Sequence, residues 1–107
     1  MKIQVDPTLL TSFETDYRNC VDEAESKYGY SSSVISMYQN KGYTPLDITY
    51  TLIFDQNPKR PKSGFKDLKS LGRVDLTLEA LVLRHKLMFS SPRLAPIYRI
   101  AKATLEK

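Results

Sequence analysis

The sequence holds one cysteine, one histidine, four glycines and no long apolar run, and each scarcity removes a class of chemistry. Cys20 has no second cysteine with which to form an internal disulfide or the C-x-x-C spacing of zinc ribbons and thioredoxin-like sites. A reducing cytosol is therefore the expected compartment. His85 is the only histidine, and the acids are scattered, so no i, i+4 ligand pair of the metalloprotease type exists and no metal or cofactor is expected. None of the four glycines falls in a G-x-x-x-x-G-K or G-x-G-x-x-G arrangement, which excludes the common phosphate loops. Apolar stretches such as Leu81-Val82-Leu83 and Leu52-Ile53-Phe54 are far shorter than the roughly 20 residues a spanning helix needs. Met1-Lys2-Ile3-Gln4-Val5 runs at once into Asp6 and Pro7, without the apolar centre of a signal peptide. A soluble, cytoplasmic chain with no membrane partner is the expectation.

What is present suits one globular domain spanning residues 1–107, with 41% hydrophobic and 26% charged residues. A chain of 107 residues buries about two-thirds of its unfolded surface, enough for a single core. Charge is unevenly spread. Residues 1–30 carry three Lys or Arg against six acids, a net −3, whereas residues 31–107 carry thirteen against six, a net +7. A basic surface of that size attracts phosphate-rich or acidic partners, or else merely solvates a helical protein.

Periodicity places helices along most of the chain. Leu10, Phe13, Tyr17, Val21, Ala24 and Tyr28 recur at three and four, predicting a helix from about Pro7 to Lys27, with Asp6 as N-cap, Pro7 at the first helical position and Gly29 as the stop. Ser31-Ser32-Ser33 precedes a short helix around Val34-Ile35-Ser36-Met37-Tyr38 that ends near Lys41-Gly42. Residues 44–55 are ambiguous: Thr44-Pro45-Leu46-Asp47 reads as a helix start, yet Ile48, Tyr50, Leu52 and Phe54 alternate with a period near two, and propensity alone favours a strand. We read a helix, since no second strand is offered to satisfy a lone strand's backbone. Asn57 to Gly64 is a loop, with two prolines and a glycine in eight residues. Phe65, Leu68 and Leu71 mark a short helix ending at Gly72. Asp75 is expected to cap a central helix from Leu76 to about Met88. Ser90-Ser91-Pro92 is expected to start a last helix whose inward stripe is Leu94, Ile97, Ala101 and Leu105 and whose outer face carries Arg93, Arg99 and Lys102. The expected fold is all-α, a compact bundle of five or six mostly short helices.

The run Gly64-Phe65, Leu68, Leu71-Gly72-Arg73 and Asp75-Leu76-Thr77-Leu78-Glu79-Ala80-Leu81-Val82-Leu83 resembles an uncharacterised group of small bacterial helical domains. The resemblance extends more weakly from Tyr28-Gly29-Tyr30 to Phe89-Ser90 and leaves out the first helix. Domains of this group occur alone or appended to predicted nucleases and other mobile-element or phage-defence proteins. The resemblance thus implies a context without a reaction, and it supports a helical reading of residues 44–55.

Catalysis finds little footing. A nucleophile needs a base in reach, and Cys20 borders the apolar stripe of its helix while His85, between Arg84 and Lys86, reads as an exposed helix position. Glu25-Ser26-Lys27 matches a nuclease Glu-x-Lys segment by letters alone, at the end of a helix rather than on a strand. Glu79, set among Leu76, Leu78, Ala80, Leu81 and Val82, reads as a buried or boundary acid paired with Arg73 or a nearby backbone N–H, and Arg73, Asp75 and Glu79 are grouped as a structural ion pair. Lys59, Arg60 and Lys62 crowd the proline loop, and Lys66, Lys69 and Arg73 follow at three or four, so the six together form a candidate basic strip for nucleic acid. The expected function is a bacterial nucleic-acid-binding module that is not an enzyme. The alternative is a protein-interaction module, an adaptor, inhibitor or immunity-type protein, acting through the acidic first helix or the tyrosine- and serine-rich segment from Tyr28 to Tyr43. A small toxin or a nuclease acting without metal through Arg, Lys and Tyr is a third reading.

Overall fold

Asp6 opens the first helix as its sequence demands: its Oδ1 accepts the backbone N–H of Thr8 at 2.8 Å and of Leu9 at 3.3 Å, and Pro7 follows where no N–H is needed. In the computed structural model, which describes residues 5–31, 33–54 and 63–106, this helix, α1, spans Pro7–Tyr28. It closes on Gly29 at φ 63°, and the N–H groups of Gly29 and Tyr30 return to the carbonyls of Glu25 and Ala24. That left-handed turn is one that glycine enters without a Cβ penalty. α2 (Ser33–Asn40) and α3 (Pro45–Phe54) follow. Next come α4 (Ser63–Ser70), a single 3-10 turn at Val74–Leu76, α5 (Leu78–Arg84), another at Met88–Ser90, and α6 (Ala95–Leu105). The described residues contain no strand, and the fold is an all-α bundle of six helices.

Residues 45–54 are helical despite their alternating pattern. Thr44 and Asp47 cap one another, the Asp47 carboxylate accepting the Thr44 N–H at 3.3 Å and the Thr44 hydroxyl accepting the Asp47 N–H at 3.2 Å. Leu46, Ile48, Thr49 and Ile53 are buried, with Leu46, Thr49 and Ile53 spaced three and four, and Thr49 satisfies its buried hydroxyl by donating to the Pro45 carbonyl at 2.8 Å. Two expected boundaries move. Asp75 does not cap α5; Thr77 does, its hydroxyl accepting the Ala80 N–H at 3.1 Å and donating to the Val74 carbonyl at 2.7 Å. The expected long helix from Leu76 to Met88 is thereby split, and α5 ends at Arg84. The last helix begins at Ala95 rather than near Ser91, because a helix started earlier would drive the Pro96 ring into the carbonyl of Pro92. Its inward face is Leu94, Ile97, Ala101 and Thr104, while Leu105 is half-buried.

α5 packs most extensively against α6 and also meets α1 and α3, so it is central despite its short length. Phe13 of α1 is fully buried, edge-on to Phe89 at 5.7 Å between ring centroids and to His85 at 5.5 Å. Tyr17, Ile53, Val82, Leu94 and Ile97 belong to the same buried core. No helix among the described residues is long and apolar enough to cross a membrane.

Candidate functional site

Asp16, Cys20 and Glu23 lie four and three residues apart on α1, so they share a face bordering its buried stripe. Two arginines from the other end of the sequence meet that face. Arg84, the last residue of α5, donates to both Asp16 oxygens at 3.0 and 3.3 Å, to the Asp75 carbonyl at 2.7 Å and to the Cys20 sulfur at 3.2 Å. Arg73, between α4 and the 3-10 turn, donates to both Asp75 oxygens at 3.1 and 3.0 Å, to the Tyr28 hydroxyl at 3.0 Å and to Glu23. Its guanidinium carbon lies 5.7 Å from the Tyr28 ring centroid. Together they join α1 to the segment between α4 and α5.

These contacts set the ionisation of the site. Burial alone would raise the Asp16 carboxyl, but hydrogen bonds from Arg84 and His85 outweigh it and hold Asp16 below its ordinary value. Hydrogen bonding from Arg73 lowers both Glu23 and Asp75. For Cys20, burial dominates the opposing pull of Arg84 and pushes the thiol up, so at neutral pH it is protonated and a poor nucleophile. His85 is not the exposed residue expected from sequence. It is the C-cap of α5 with its side chain 14% exposed, its Nε2 lying 2.8 Å from Asp16 and its ring on Phe13. The early end of α5 turns it inward.

The expected basic strip is divided. Lys59, Arg60 and Lys62 lie outside the described residues. Lys66 and Lys69 are exposed on α4, with the Lys69 ammonium 5.9 Å from the Phe65 ring centroid. Arg73 does not continue the strip: its side chain is 23% exposed and is engaged by two carboxylates. The expected Arg73–Asp75 pair is present, and Glu79 is buried at 5% exposure in the first turn of α5, where it makes an interaction of its own. Glu23 and Asp16 escaped the sequence reading because their partners are 50 and 68 residues away, although acids at helical spacing beside an apolar stripe were a usable signal. On α6, Arg99 and Lys102 are exposed three residues apart, and Lys86 is exposed in the turn after α5.

A cavity of about 590 Å³ is lined from α1, α2, α3, α4 and α5, and a smaller one of about 370 Å³ adjoins Asp16 and Arg84. Tyr17 lines the larger. Burial pushes its phenol up to about 12, so it stays protonated. Among the described residues no group of three or more His, Cys, Asp or Glu side chains is placed to hold a metal ion. No family model, no curated protein and no solved structure matches this chain.

Proposed function

We propose that this chain is a non-catalytic nucleic-acid-binding module of the bacterial cytoplasm. The observation that carries the reading is the division of its cations into two sets. Arg73 and Arg84 are held by α1 carboxylates, whereas Lys66, Lys69, Lys86, Arg99 and Lys102 are exposed and form no ion pair among the described residues. Part of the positive charge of residues 31–107 is therefore carried by side chains open to a phosphate backbone. Lys59, Arg60 and Lys62, which precede α4 in sequence, add to the same charge. Spacing on α6 does not select a base-reading helix, so the proposed contact is with the backbone rather than the bases. The resemblance of the Gly64 to Leu83 run is the support for proposing a mobile-element or phage-defence setting for such a module.

Fluorescence anisotropy with labelled duplex DNA, single-stranded DNA and RNA tests this. With about four phosphate contacts, affinity for duplex should fall roughly a hundred-fold between about 50 and 200 mM salt. No binding at the lower salt would refute the reading.

A second reading, a protein-interaction module, is favoured by exposed apolar side chains on and beside α2. Val34 and Met37, three apart on that helix, are 43% and 42% exposed, and Tyr43 just beyond it is 38% exposed. The acidic face of α1 contributes less to that reading than sequence suggested, because Asp16 and Glu23 are already paired. Binding of this kind would depend on Val34 and Met37 and little on salt.

A further inference from the structure

Two aromatic pairs in the stretch from Tyr38 to Phe54 each keep one ring open to solvent. Tyr43 is exposed and packs on half-buried Tyr38, with ring centroids 4.9 Å apart and planes inclined by 36°. Phe54, 51% exposed at the end of α3, stacks on half-buried Tyr50 one turn earlier, with centroids 5.4 Å apart and planes at 13°. In each pair the inner ring braces the outer one. The turn between α2 and α3 also fixes Tyr43 through its backbone, because Gly42 takes φ 85° and the Tyr43 N–H returns to the Tyr38 carbonyl at 3.1 Å. Rings held in this way lose little freedom when a flat guest covers them.

Charge says which guest. The sequence has no acid between Glu25 and Asp47, and the Asp47 carboxylate is engaged by the Thr44 N–H. Exposed Lys41 sets its ammonium 6.0 Å from the Tyr38 ring centroid, and the exposed amides of Gln39 and Asn40 precede it. An aromatic surface with a cation and amides beside it, in a turn free of acids, matches a nucleobase joined to a phosphate. Bases in a duplex stack on one another, so only unpaired ones can use these rings. We infer that the chain takes single-stranded nucleic acid over this stretch, with bases stacked on Tyr43 and Phe54 and Lys41 at a phosphate. The inference rests on the nucleic-acid reading above and adds bases to a contact that the cations of α4 and α6 make with the backbone alone.

Fluorescence anisotropy with labelled oligo-dU, oligo-rU and a duplex, each about twelve nucleotides long, tests the inference. Stacking is not screened as phosphate contacts are, so at about 200 mM salt both single strands should bind about tenfold more tightly than the duplex. Tyr43→Leu with Phe54→Leu keeps apolar bulk at two exposed positions and removes the ring faces. That pair should weaken the single strands about tenfold and leave the duplex unchanged, whereas Tyr43→Phe should leave all three unchanged. Lys41→Gln should lower the single-strand slope of log affinity against log salt by about 0.7, the loss of one phosphate contact. Thermal melting followed by circular dichroism checks that each variant folds as the parent does. Salt-sensitive duplex binding with no preference for single strands would overturn this inference and leave the backbone reading standing; no binding to any of the three at low salt would overturn both. Single-strand affinity unmoved by the leucine pair would also overturn it, and would leave the exposed rings to a protein partner.

Discussion

Asp16 accepts two hydrogen bonds from Arg84 and lies 2.8 Å from His85, so one carboxylate ties the middle of α1 to the end of α5. Because its folded-state carboxyl titrates below the ordinary value, the unfolded chain binds protons more readily in acid. The stability it contributes is thus complete above the ordinary carboxylate range and is lost as pH falls through the depressed folded value. Glu23 and Asp75, lowered by Arg73, act in the same direction. Asp16→Asn should cost about 1–2 kcal/mol at neutral pH, by leaving Arg84 without its charged acceptor, and should flatten the acid limb of a urea-denaturation series measured against pH. An unchanged acid limb would mean that Asp16 is not ionically engaged. At this scale sequence reasoning reached only what was close in the chain. Arg73 with Asp75, two residues apart, was legible. Arg84 with Asp16 was not, since nothing local selects a partner 68 positions away.

Thr77 makes the decisive choice among the elements. Its hydroxyl is buried, accepts from Ala80 and donates to Val74, ending the 3-10 turn and starting α5 in one residue. Thr77→Val preserves shape while removing both bonds and should destabilise by about 1–2 kcal/mol, whereas Thr77→Ser should retain most of the stability, as chemical denaturation would report. A silent Thr77→Val change would show that α5 does not depend on this cap. The N-terminal signals that were read correctly, Asp6-Pro7 and Thr44-Pro45, act entirely within four residues, and so do the stops at Gly29 and Gly72. Asp75 was misread as a cap because two capping residue types stand two apart. Its carboxylate is drawn to Arg73 instead, which sequence spacing cannot rank against a backbone N–H. In α3 the period-two alternation lost to the reciprocal cap and to the lack of any partner strand among the described residues.

Across the whole molecule, the acidic first helix and the basic remainder are not two separate surfaces. The fold packs part of one against part of the other, pairing Glu23 with Arg73 and Asp16 with Arg84, and leaves Lys66 and Lys69 of α4 and Arg99 and Lys102 of α6 exposed with no ion pair among the described residues. Under the proposed function, the cations left without a carboxylate partner are the ones offered to phosphate, although the net charge is only +4. Composition showed the asymmetry, but only the fold shows which cations remain outside. The account rests on that sorting, and the salt dependence of duplex DNA binding tests it most directly. Arg99→Gln with Lys102→Gln should reduce the slope of log affinity against log salt by about two, one for each lost phosphate contact, with thermal stability unchanged. A slope identical to that of the unaltered protein would contradict the assignment of these exposed cations to the binding surface.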